Sequence, residues 1–195
     1  MSILEIFGIT SGVLGFICVF PYIRDILLNK TKPERASWLI WSVLGSIAFF
    51  SQLAKGATNS LWLTGVDTLG VLITFILALK FGEGGLSRRD VKALMVAFLG
   101  LVIWFFTKEA TFALIIVIVV DSAGSFLTIS KAYEDPESET MSTWILSGLS
   151  GLAAALAVGS FDLVLLSYPL YIWVANWSVA IAMVLGNKKR EMRIK

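Results

Sequence analysis

Apolar residues in this chain come in long unbroken runs, separated by short polar stretches that hold nearly all of the charge. Seven runs approach or reach the length a helix needs to cross a hydrocarbon core, about 17–25 residues. They cover 4–28, 36–54, 60–80, 90–107, 110–131, 141–158 and 164–186. Alternation of apolar and polar residues at period two, the mark of a transmembrane barrel strand, is missing. Soluble core helices would need a polar exterior, and seven such runs joined by short turns leave little sequence to build one. The pattern predicts an all-α integral membrane protein with seven transmembrane helices.

Composition and charge sharpen this picture. The 195 residues are 57% hydrophobic and only 15% charged, with no histidine and a mean hydropathy of +0.83, far from the balance of a soluble domain. The first run lacks a basic leader and a small-residue cleavage site, so it is expected to stay as a helix and not be removed as a signal peptide. If the N-terminus lies outside, every Lys and Arg except Lys55 and Lys108 falls on the cytoplasmic side. The positive-inside rule therefore predicts N-out, C-in, and the expected location is a bacterial or archaeal plasma membrane. The basic tail at Lys188, Lys189 and Arg190 is explained by anionic membrane lipid and needs no nucleic acid. Cys18 is the only cysteine, which leaves no disulfide and no metal-ligand cluster, and no cofactor is implied.

Three polar residues interrupt the runs where lipid should forbid them: Asp67, Asp121 and Asn176. A carboxylate at a helix centre costs roughly 2.5–3.5 kcal/mol on insertion scales, so such groups face a bundle interior or a wet cavity and mark function by default. Holding the bundle together across helices is the structural alternative for each of them. Trp173 lies one turn before Asn176 and Trp177 one residue after it. The pair could stack on a ring whose polar edge the amide fixes, or could simply pack. Trp38, Trp41 and Trp144 open helices at the expected cytoplasmic boundary and read as interfacial anchors, with an inner-gate role left open. Pro21 removes a backbone hydrogen bond and can bend the first span, which suits either a hinge or a static kink. The acidic residues Glu134, Asp135, Glu137 and Glu139 read as a solvated turn that meets the basic loop from Lys30 to Arg35.

A shift of 106 residues lays the chain on itself, with Ile23 on Ile129, Asp25 on Lys131, Trp38 on Trp144 and Gly45 on Gly151. Three further residues in the second turn of the second copy place Asp67 on Asn176. The expected organisation is a triple-helix repeat over 1–82, a linker helix over 83–108, a second triple-helix repeat over 109–187 and a basic tail over 188–195. An odd number of helices between the copies makes the repeat parallel, related by an axis along the membrane normal.

Gly12, Gly15, Pro21, the loop Lys30 to Lys32, Ser37, Gly45, Gly56 and a polar residue central to the third span together resemble the SWEET and SemiSWEET sugar transporters and their PQ-loop relatives. Asp121, the stretch Ser130 to Glu139 and Asn176 resemble the other half of that pattern. The family's proline-glutamine pair reads Pro21-Tyr22 here, Leu127 stands opposite Pro21, and one of the paired central asparagines is Asp67. The resemblance implies a 3+1+3 transporter that moves a small-molecule solute by rocking its halves around a midplane site. Asp67, Asn176, Trp173 and Trp177 would bind the solute, and Pro21 would be the hinge. Asp121 would tune the site or carry a proton. A vitamin or nucleoside uptake transporter is the alternative within this class, and a non-transporting seven-helix receptor or scaffold the alternative outside it. A homo-oligomer is left open. No phosphate-binding loop, metal-ligand set or activated nucleophile suggests an enzyme.

Overall fold

The computed structural model describes the backbone of residues 2–54, 60–85, 87–107, 110–159, 161 and 163–194; within these, side chains are described outside 47–67, 100–101, 103–104, 107–114, 163–165 and 193–194. Regular structure among the described residues is helical: α1 (Ile3–Ile17), α2 (Val19–Leu27), α3 (Arg35–Ala54), α4 (Ser60–Phe81), α5 (Arg88–Thr107), α6 (Ala110–Glu134), α7 (Met141–Ala157) and α8 (Leu163–Ile194). A 3-10 turn, Pro136–Ser138, joins α6 to α7. These helices overlie the seven predicted runs in order, with α1 and α2 dividing the first. In lipid the backbone must satisfy its own polar groups, so long apolar runs have little option but the helix.

Three described stretches are long and apolar enough to cross a membrane: Ile3–Leu27, Ile115–Glu134 and Leu166–Met192. At 1.5 Å rise per residue the shortest, of 20 residues, spans about 30 Å, the thickness of a hydrocarbon core. Large apolar side chains such as Phe16, Phe20, Ile76, Phe98, Phe105 and Ile181 point outward. A lipid-facing surface accounts for so much exposed apolar area, and the molecule is consistent with an integral membrane protein.

Local sequence explains where helices begin and break. Ser2 and Glu5 form a reciprocal capping box at the start of α1. The first span is interrupted at Cys18, one turn before Pro21, whose missing N–H leaves the Ile17 carbonyl without its helical donor. Cys18 closes the last turn of α1, its N–H donating to Leu14 O at 3.0 Å and its Sγ to Gly15 O at 3.1 Å. At the other end, α8 does not stop at 186 but runs through the basic residues to Ile194.

The chain divides into two compact units, Met1–Thr31 with Thr128–Lys195, and Lys32–Leu127. In the first, α7 is the centre, packed by α1 and α2 on one side and by α8 on the other. Ser150 donates to Ser11 O at 2.8 Å and Thr143 to Cys18 O at 3.0 Å, tying α7 along the broken first span. Toward α8, α7 presents Gly148 and Gly151. A Cβ on Gly148 would sit 2.1 Å from Trp177 Cδ1, and one on Gly151 would sit 2.7 Å from the Trp173 backbone nitrogen. Small residues are what let the two backbones approach this closely, as helix contacts in membranes require.

In the second unit α3 packs against α4 and α5. Ile40, Ala97 and Val120 form one buried apolar cluster and Ala36, Ala93 and Leu127 another, so the part of α6 up to Leu127 belongs to the same core. The α3 and α4 helices meet at Gly45, whose carbonyl accepts from Thr68 Oγ1 at 3.1 Å. Arg35 fastens the ends of these helices by donating to Ala78 O at 3.0 Å and Gly84 O at 3.1 Å.

Candidate functional site

Asp67 lies in α4, and its side chain is outside the described residues. Its neighbour Thr68 is buried against Gly45. Asp121, in α6, is 7% exposed, between Val120 and the small residues Ser122, Gly124 and Ser125. Gly124 packs under the indole of Trp41, whose Nε1 would lie 3.1 Å from an added Cβ. Both acids belong to the second unit, Lys32–Leu127.

Asn176, Trp173, Trp177 and Pro21 belong to the first unit. Asn176 is half-buried, and its Nδ2 donates to Ile172 O at 2.8 Å, one turn back on its own helix. Trp173 and Trp177 both border α7. The Trp177 ring lies over Gly148, while Trp173 presents its backbone to Gly151. One edge of each tryptophan region therefore packs against α7.

Three buried carboxyl groups went unnoticed in the sequence, Glu139, Glu34 and Asp90. Glu139 was expected in a solvated turn, yet its side chain is fully buried. Its Oε1 lies 2.5 Å from Lys131 Nζ, and its Oε2 accepts from Trp144 Nε1 at 3.0 Å. Tyr22, also buried, supplies a further hydrogen bond and meets Trp144 edge-to-face with ring centroids 5.8 Å apart. Burial pushes the Glu139 carboxyl above its ordinary value of 4.5, and Lys131, Tyr22 and Trp144 pull it back. Trp144 is thus not an interfacial anchor. Its indole N–H turns inward because a buried acceptor waits there, and the residue is 5% exposed. Trp38 is likewise 6% exposed, and its ring packs edge-to-face on half-buried Trp41 at 5.1 Å.

The other acids of the turn are solvated as expected, with Glu134 and Glu137 exposed and Asp135 half-buried. Asp135 and Glu137 pair with Arg190 at 3.2 and 3.5 Å, so the extended α8 neutralises them. Lys189 lies over the Tyr133 ring at 4.5 Å. Toward the loop after α2 the turn reaches by hydroxyls: Thr140 bonds Thr31 Oγ1 at 2.5 Å and Asp25 Oδ2 at 3.2 Å.

The second overlooked acid is Glu34, 2% exposed, which caps α3. Its Oε2 accepts from the Ser37 N–H at 2.6 Å and lies 2.9 Å from Ser37 Oγ. Its Oε1 is buried against Gly84, where an added Cβ would stand 2.2 Å away. Glu34 precedes Trp38 by four residues and Glu139 precedes Trp144 by five, so a glutamate shortly before a tryptophan at the head of a helix was the available signal. Comparison with protein-family models, curated proteins and solved structures finds no match for this chain.

Proposed function

We propose that this chain is a membrane transporter that moves a small polar solute by alternating access, with a proton contributing to the cycle. The observation that carries the proposal is Asp121, an ionisable side chain held at 7% exposure within one of the apolar stretches long enough to cross a membrane. Such a residue is costly in lipid, and a binding or proton-carrying role accounts for its presence. Asp67 and Asn176 are the proposed solute-contacting groups, with Trp173 and Trp177 as aromatic partners and Pro21, beside the break at Cys18, as the hinge.

In this proposal the helices form two triple-helix repeats joined by a linker helix, with the N-terminus outside and the C-terminus cytoplasmic. Matching glycines support the repeat: Gly45 and Gly151, equivalent under the shift, each sit at a tight helix contact within their own unit. The Lys and Arg distribution supports the orientation.

The test is thermal-shift screening of the purified protein against sugars, nucleosides, vitamins and amino acids at two pH values, beside Asp67→Asn and Asp121→Asn. A solute that stabilises the native chain but not Asp67→Asn, and whose effect loses its pH dependence in Asp121→Asn, is the expected result. No stabilisation by any solute, together with no flux in proteoliposomes, would overturn transport and favour a receptor or scaffold.

A further inference from the structure

The hydrogen count at the head of α3 does not close if Glu34 is ionised. The Ser37 hydroxyl carries one hydrogen, yet its oxygen lies within bonding distance of two acceptors, Glu34 Oε2 at 2.9 Å and Gly124 O on α6 at 2.7 Å. With Glu34 as a carboxylate, that hydrogen serves one acceptor and leaves a buried oxygen facing another oxygen. With Glu34 as a carboxylic acid both contacts are bonds: the Glu34 hydroxyl donates to Ser37 Oγ, and Ser37 donates to Gly124 O.

The surroundings favour the neutral form as well. Among the described residues Glu34 Oε1 has no hydrogen-bond partner, and an unpaired buried carboxylate oxygen is costly. Glu139 at the head of α7 has Lys131 against it, whereas no cation lies within ion-pair distance of Glu34 among the described residues. The adjacent Arg35 spends its guanidinium on Ala78 O and Gly84 O. Glu83, bridged to Glu34 through the backbone, and Asp90 on α5 are further acids. Arg89 stands beside Asp90, and Asp121 lies one turn before Gly124 on α6. Asp90 accepts from the Gly85 and Ser87 N–H groups at 2.6 and 2.9 Å, which fixes its negative charge in the first turn of α5, against the loop that covers Glu34. Burial pushes the Glu34 carboxyl up from 4.5. The Ser37 N–H and hydroxyl and the Ala36 N–H oppose this, and the Asp90 charge adds to the rise.

We propose that Glu34 is a proton-binding site, whose neutral carboxyl completes a relay through Ser37 to the Gly124 carbonyl and so latches the start of α3 to α6. Loss of the proton breaks one link of the relay and loosens the latch. This site is distinct from Asp121 and stands whether or not the chain transports a solute.

The test is infrared spectroscopy of the full-length protein in detergent across a pH series, native against Glu34→Gln. Gln removes the titrating proton without adding a charge; at the position of Oε2 its amide either accepts from the Ser37 N–H or donates to Ser37 Oγ, and so keeps one of the two contacts of the neutral acid. The expected result is a protonated-carboxyl carbonyl band that persists above pH 4.5 in the native protein and is missing in Glu34→Gln. An ionised-carboxylate signal in the native-minus-variant difference at neutral pH would overturn the assignment. Should Glu34→Gln not fold, Asp90→Asn gives the answer on the native glutamate. Removing the neighbouring charge moves the band's midpoint to lower pH, and a midpoint that stays put overturns the proposal.

Discussion

Replacing Lys131 with methionine tests the account of the buried cluster at the head of α7. The substitution keeps most of the volume and removes the cation that faces Glu139 at 2.5 Å in a site where both side chains are almost wholly inaccessible. Breaking a buried pair from one side costs about 3–5 kcal/mol, because the remaining charge is left uncompensated. The sign of the pH dependence follows. Burial already places the folded Glu139 carboxyl above 4.5, and without Lys131 it rises further. At acid pH the folded and unfolded chains both hold the proton, and the variant is destabilised only by lost packing. As pH rises through 4.5 the unfolded chain releases its proton first, so stability falls by up to about 1.4 kcal/mol per pH unit until the folded group also ionises. Thermal unfolding in detergent, followed by tryptophan fluorescence, reads this profile, with Trp144 as a reporter inside the cluster. The double variant Lys131→Met with Glu139→Gln should recover most of the loss, since the amide still accepts from Trp144 and carries no charge. A flat profile in the single variant, or a double variant no better than the single, would refute the reasoning.

Gly148→Ala should destabilise the contact of α7 with α8 by about 1–3 kcal/mol, because its Cβ falls on the Trp177 ring, and Trp177→Ala in the same chain should relieve part of that loss in the same unfolding assay. Pro21→Ala restores a donor for the Ile17 carbonyl, so the first span should become more continuous; solute flux in proteoliposomes should fall while thermal stability holds or rises, and unchanged flux would remove Pro21 as the hinge. For Glu34, whose folded carboxyl is raised, the native melting temperature should decline as pH climbs from about 4.5 through the folded value, and Glu34→Gln should not share that decline; parallel profiles in a pH-resolved melt would contradict it.

The sequence by itself determined the helices and their order, because a run of some twenty apolar residues in lipid can satisfy its backbone only as a helix. It also located Asp121 and the break near Pro21, since an ionisable group in an apolar run and a missing N–H each have local consequences. What it could not determine was which way each helix is turned about its axis. That rotation turned Trp144 inward where a lipid anchor was expected and set Trp177 over Gly148, and the fold of the turn before α7 carried Glu139 into the same buried cluster. The burial of Glu34 needed the loop after α4 to fold across it, a contact made by residues some fifty positions away. Such placements depend on packing between distant segments, and hydropathy along one strand of sequence carries no record of them. The tertiary structure alone decided which acids are paired, which are left to hold a proton, and which glycines are indispensable.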